Sequence, residues 1–123
     1  MRDLDEILAA APVIPVLVID RVEDALPIAQ ALVEGGLPVL EVTLRTPAAL
    51  DAIRAMKTVP GTIVGAGTVL NPKQYEAVVE AGAEFAVSPG LTETLAGAAA
   101  GGPVPLLPGV ATASEIMAAL DLG

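Results

Sequence analysis

The chain has no cysteine and no histidine. Without thiols it can form neither disulfides nor a thiolate metal site. Without imidazole it lacks the usual acid–base group for neutral pH and any zinc site of the histidine type. Basic charge is scarce as well. Lys plus Arg number 6 against 15 Asp plus Glu, a net charge of -9. That field repels nucleic acid and anionic membrane surfaces, so neither is an expected partner. An anionic small molecule would have to be held by a local device. Long apolar runs are also missing. Although 54% of the residues are hydrophobic, Pro, Gly or charge breaks every run short of the ~20 residues that span a bilayer. The N-terminus, M-R-D-L-D-E-I-L, carries acid where a signal peptide carries base. The expectation is a soluble, cytoplasmic protein.

What is present is enough for one compact domain over residues 1–123. Its most informative stretch is Val39 to Pro47, V-L-E-V-T-L-R-T-P. The period is two, as in a strand. Leu40, Val42 and Leu44 point one way; Val39, Glu41, Thr43 and Arg45 point the other. The surrounding sequence alternates short apolar runs with helical patterns, which means a parallel sheet covered by helices. Such strands are normally apolar on both faces. A carboxylate, a hydroxyl and a guanidinium on the inner face are costly unless they are paired or line a wet cavity. Two readings stand: an active-site wall, or a buried Glu41–Arg45 pair that only holds the strand.

Around that strand the chain divides regularly. Asp3–Ala11 is an amphipathic helix with Leu4, Ile7 and Leu8 on one stripe. Val13–Ile19 is a first strand, whose Pro15 argues against a fully bonded central position. Asp20 and Glu23 predict a capping box for a helix running to about Glu34, stopped by Gly35-Gly36. After the Val39–Arg45 strand, Thr46 is the expected cap of the next helix and Pro47 its first residue. Leu50, Ile53 and Met56 form that helix's buried stripe. Thr62–Val69 is a third strand, in which Gly65 and Gly67 allow something to approach the backbone closely. Its G-A-G resembles the start of a dinucleotide fingerprint, but the third glycine would fall at Leu70. Asn71-Pro72 caps a helix running through Tyr75, Val78 and Val79 to Gly82. Phe85–Val87 is a fourth strand, with Ser88-Pro89-Gly90 as its turn. Thr92–Ala100 is a weak helix, and a fifth strand is centred on Leu106-Leu107. Thr112 and Glu115 cap a last helix with Ile116, Met117 and Leu120 as its stripe.

Five strand–helix units mean an α/β protein, either doubly wound or a (β/α)8 TIM barrel. The barrel is favoured. Polar residues fall at or near the C-terminal ends of successive strands, where barrel active sites gather. A Gly-rich phosphate loop after the first strand is lacking. An N-terminal helix and about the first five βα units would be covered, with the sixth to eighth absent.

E-V-T-L-R-T-P, I-V-G-A-G-T-V-L-N-P, F-A-V-S-P-G-L-T and P-L-L-P-G-V-A-T-A-S-E-I-M resemble, in order and spacing, the 2-keto-3-deoxy-6-phosphogluconate (KDPG) aldolase family. The resemblance runs along essentially the whole chain. It implies a homotrimeric, cytoplasmic class I aldolase of (β/α)8 fold, with no metal and no cofactor. Its substrates would be 2-oxo acids: KDPG, pyruvate and 4-hydroxy-2-oxoglutarate. It implies Glu41 as the general acid/base working through a bound water, and Arg45 as the ligand of the pyruvyl carboxylate. Thr68 would supply a partner hydroxyl and Pro89 would line the pocket. Thr43 would orient its neighbours, and Ser88 is read as a turn residue. The types suit the roles, since guanidinium favours forked carboxylate contacts and a carboxylate in a partly dry cavity can shuttle protons.

The chain departs from that family at the nucleophile. The Schiff-base lysine belongs to a sixth-strand segment of L-K-x-F-P-A-E type, which is absent from these 123 residues. Lys57 and Lys73 sit in predicted helices and read as solvated charges, because a nucleophilic lysine needs desolvation or a cationic neighbour. The phosphate loops expected after the seventh and eighth strands are absent too. Two classes therefore stay open: an aldehyde-lyase, or a non-catalytic truncated barrel fragment or assembly scaffold.

Overall fold

The computed structural model describes residues 2–123. Helix α1 (Leu4–Ala9) opens on a capping box, in which Asp3 accepts from the Glu6 backbone N–H and Glu6 accepts from that of Asp3. Strands β1 (Val16–Leu17), β2 (Val39–Thr43), β3 (Ile63–Gly67), β4 (Ala86–Ser88) and β5 (Leu106–Pro108) alternate with helices α2 (Ala25–Glu34), α3 (Ala49–Met56), α4 (Pro72–Ala81), α5 (Glu93–Ala100) and α6 (Ala113–Asp121).

Every strand pair is parallel, and the strands lie side by side in chain order. A doubly wound sheet reverses direction at a switch point; this one never does. The units follow one another as in a (β/α)8 barrel, of which this chain forms the first part. Among the described residues no helix is long and apolar enough to cross a membrane.

The faces of the sheet separate two cores. Outside, Leu40, Val42, Val64, Ala66 and Ala86 pack with Ala29, Ile53, Met56, Val78 and Leu95 of the helices. Inside, Val39, Ile63 and Phe85 pack with Ile7 and Ala11. Helix α1 thus lies across the N-terminal ends of the strands and closes the base of the barrel. Each fully buried aliphatic side chain contributes about 1.5–3 kcal/mol. The two-residue alternation of β2 therefore assigns Glu41 and Thr43 to the interior.

Several boundaries differ from the sequence reading. Asp20 and Glu23 form no capping box. A short 3-10 turn, Val22–Asp24, starts from Arg21 with no side-chain cap, and α2 begins at Ala25. Pro27 explains this: a helix starting at Asp20 would place it in the interior, whereas one starting at Ala25 places it in the first turn, where its missing N–H is harmless. Thr46 does not cap α3. Its hydroxyl donates to the Ile19 carbonyl at 2.5 Å, and the helix starts at Ala49 after Ala48. Strand β1 is two residues long rather than seven and begins directly after Pro15. Ser88 is the buried last residue of β4, not a turn residue. The stripe on α6 is not buried: Met117 is 65% and Leu120 74% exposed, because nothing packs on that side of β5 among the described residues.

Candidate active site

Glu41 sits at the centre of β2, paired with Val16 on one side and Gly65 on the other. Its backbone N–H donates to the Pro15 carbonyl at 3.0 Å. Its side chain borders a cavity of about 60 Å³ walled by apolar residues, among them Ile7, Ile14, Phe85, Val87 and Leu107. That volume is too small for a sugar acid. A larger ligand would have to approach the carboxylate from the C-terminal rim.

Among the described residues the carboxylate is not ion-paired and Arg45 forms no salt bridge, so the reading of a buried Glu41–Arg45 strut fails. Strand β2 ends at Thr43, which places Arg45 in the turn beyond it, exposed to solvent. Burial raises the Glu41 carboxyl above the ordinary value of 4.5, and the nearby Arg45 charge lowers it by less. Net, the folded chain holds the Glu41 proton more tightly than water would.

Glycines on β3 make room for this arrangement. A β-carbon on Gly67 would stand 2.0 Å from Oε1 of Glu41, and one on Gly65 would stand 2.4 Å from the ring of Phe85. What approaches the glycines, left open by the sequence, is therefore a carboxylate and an aromatic ring.

Thr43 is 1% exposed, and its hydroxyl donates to the Leu17 carbonyl at 3.2 Å. Its proton is thus spent on joining β2 to β1. Thr68 follows β3 directly, with φ 60°, the single positive-φ residue other than glycine among the described residues. A β-branched side chain in that region is strained by about 1–3 kcal/mol, and such strain clusters at functional sites. The conformation is pinned on both sides: Leu44 N–H donates to Gly67 O at 2.9 Å, and Val69 N–H to Val87 O at 3.1 Å. Pro89 is exposed just beyond β4, where its carbonyl packs against Gly109 of the segment after β5. Ser88 Oγ is buried without a hydrogen-bond partner.

The parallel strands bring Arg45, Thr68 and Pro89 to one rim, above the inward-facing Glu41. Both lysines stay outside. Lys57 lies with Nζ over the C-terminal end of α4, where a β-carbon on Gly82 would stand 2.0 Å from it, and a cation there favours the helix dipole. Lys73 is exposed in the first turn of α4. Among the described residues no group of three or more His, Cys, Asp or Glu gathers to hold a metal ion. Phe85 and Gly67 are site residues that the sequence reading did not assign. The strand register Glu41↔Gly65 and Thr43↔Gly67 is the signal that carries them.

The sequence model of the family described as KDPG and KHG aldolase matches residues 4–123. The 2-dehydro-3-deoxy-phosphogluconate aldolase of Zymomonas mobilis is 61% identical over 123 residues, covering 100% of this chain and 59% of the relative. The crystal structure of the Zymomonas mobilis 2-keto-3-deoxy-6-phosphogluconate aldolase superposes with a TM-score of 0.96 at 61% identity, over 99% of this chain and 59% of that one. A second structure, the Legionella pneumophila KDPG aldolase with pyruvate captured as a covalent carbinolamine, superposes with a TM-score of 0.91 at 53% identity, over 95% and 57% of the two chains. This chain therefore spans under three-fifths of the length of those relatives.

Proposed function

We propose, from the premise that this chain belongs to the KDPG and KHG aldolase family, that it builds the acid–base half of a class I aldolase active site. The observation that carries the reading is Glu41: an inward-facing carboxylate set against the bare backbone of Gly67, without an ion-pair partner among the described residues and with its proton affinity raised by burial.

The reaction is cleavage of KDPG to pyruvate and glyceraldehyde 3-phosphate, and of 4-hydroxy-2-oxoglutarate to pyruvate and glyoxylate. A lysine amine attacks the C2 carbonyl and gives a carbinolamine. Loss of water yields an imine, whose electron pull allows the C3–C4 bond to break as the C4 hydroxyl gives up its proton. The aldehyde leaves, the enamine is protonated at C3, and water returns to release pyruvate and the free amine. Glu41 takes the amine proton, delivers a proton to the departing hydroxyl, and serves the C4 hydroxyl and C3 through a bound water. A carboxyl whose proton affinity is lifted toward the working pH is suited to both directions of transfer.

Arg45 holds the carboxylate of the pyruvyl portion at the rim, Thr68 offers its hydroxyl, and Pro89 lines the pocket. The strain at Thr68 supports its role, because a packing residue has no need of a left-handed conformation. The nucleophilic lysine is supplied by residues beyond these 123, since Lys57 follows the end of α3 and Lys73 lies in the first turn of α4, both away from Glu41. The family resemblance implies a cytoplasmic homotrimer for the whole protein. One observation favours a second reading, a barrel fragment that must assemble with further chain: the uncovered stripe of α6.

The test is to incubate the full-length protein with pyruvate and borohydride and to map the adduct by mass spectrometry. A single pyruvyl adduct on a lysine outside residues 1–123 supports the proposal. An adduct on Lys57 or Lys73, or none, overturns it.

A further inference from the structure

Glu41 pairs in register with Gly65, yet its side chain does not rest there. The Phe85 ring occupies that position, with three ring atoms 2.4 Å from where a Gly65 β-carbon would stand. The carboxylate is carried instead to Gly67, one inward-facing position nearer the C-terminal rim. It lies so close that a β-carbon on Gly67 would stand 2.0 Å from Oε1, 2.9 Å from Cδ and 3.1 Å from Cγ. No side chain other than glycine's leaves room for this path. The carboxylate accepts no hydrogen bond among the described residues; Phe85 below it and bare backbone beside it leave this path open, with the Arg45 charge nearby.

We propose that Gly67 is a positioning residue for Glu41: its bare α-carbon seats the carboxylate and aims it at the rim where the substrate carbonyl docks. This rests on Glu41 being the proton carrier. Gly67 touches no reacting atom and acts only through the direction of that side chain. A methyl group there pushes the carboxylate aside by an ångström or more, a displacement that can cost about 10²-fold in rate.

The test is a cycle of variants in the full-length protein: Gly67→Ala, Glu41→Gln, the double variant, and Glu41→Ala with and without Gly67→Ala. Gly67→Ala should lower kcat by about 10- to 100-fold with KM for the 2-oxo acid little changed. The pH limb assigned to Glu41 should move toward the ordinary carboxylate range as the group is displaced into water. In the Glu41→Gln background, Gly67→Ala should cost almost nothing further in kcat. An equal loss of kcat in both backgrounds would overturn the inference and leave the role of Glu41 intact. Full activity of Glu41→Gln would instead overturn the reading of Glu41 itself. Should Gly67→Ala fail to fold, Glu41→Ala/Gly67→Ala must fold as well as Glu41→Ala, because the colliding atoms are gone. If the double variant also fails to fold, the clash lies elsewhere and the inference falls.

Discussion

Tyr75 and Val104 are joined by two hydrogen bonds through a single oxygen: the phenol donates to the Val104 carbonyl at 2.7 Å and accepts from the Val104 N–H at 3.2 Å. The pair ties helix α4 to the segment that enters β5. Gly102 makes room for it, since a β-carbon there would stand 2.3 Å from the phenol oxygen. Tyr75→Phe strands a buried donor and a buried acceptor. The expected loss is about 1–3 kcal/mol, read as a lower denaturant midpoint, with turnover per folded molecule unchanged. Equal midpoints would show that water replaces the phenol at no cost.

Glu41 makes stability depend on pH in a defined direction. Its carboxyl is raised above 4.5 by burial, so the folded state favours the protonated form. That contribution is fully present below the unfolded value and is lost as pH rises through the folded value. Glu41→Gln keeps the shape without the charge. Its stability relative to the parent should be constant in acid and should improve as pH climbs above 4.5. Paired denaturation curves across that range decide it; a gap that does not change with pH would mean that the carboxylate is hydrated.

Arg45→Lys should damage recognition of the 2-oxo acid more than chemistry. An ammonium cannot reproduce the forked contact of a guanidinium with a carboxylate. In the full-length protein KM for pyruvate should rise with a smaller change in kcat. Normal pyruvate affinity in the variant would place the carboxylate site elsewhere.

Thr68→Gly separates strain from binding. Glycine usually costs about 0.5–1 kcal/mol through the freedom of the unfolded chain. Here relief of a left-handed β-branched residue should offset that cost, leaving stability level or higher. Affinity for the 2-oxo acid should fall with the lost hydroxyl. A variant that binds normally would make the strain a feature of the turn alone.

Much of this was legible from local pattern. The period of two assigned Glu41 and Thr43 to the interior, opposite Leu40 and Val42. Asn71 and Thr112 cap their helices as their sequences imply. What was not legible depends on partners distant in the chain. Thr46 has the sequence of a cap, yet its hydroxyl goes to Ile19, 27 residues away. Asp20 and Glu23 have the spacing of the box that Asp3 and Glu6 do form, but Pro27 denies it to them. Arg45 leaves the strand because pairing with β3 ends at Thr43↔Gly67. The seat of Glu41 on Gly67 needed both the register and the ring of Phe85.

Isolated residues 1–123 should form no imine with pyruvate and should self-associate. Among the described residues the sheet edges at β1 and β5 are unpaired, and Met117 and Leu120 on α6 are exposed. Size exclusion should show oligomers, and charged substitutions at Met117 and Leu120 should reduce them. A monodisperse monomer carrying a site-specific pyruvyl adduct would contradict both parts.

The central claim is that Glu41 carries protons in an imine aldolase. The most direct measurement is the exchange of pyruvate methyl protons in deuterated water, followed by NMR with the full-length protein and its Glu41→Gln variant. Exchange requires imine formation and proton transfer at C3 but no aldehyde. The account predicts that the variant exchanges about 10²–10⁴-fold more slowly while pyruvate affinity stays close to that of the parent. Exchange at the parent rate, or a loss confined to affinity, would contradict it.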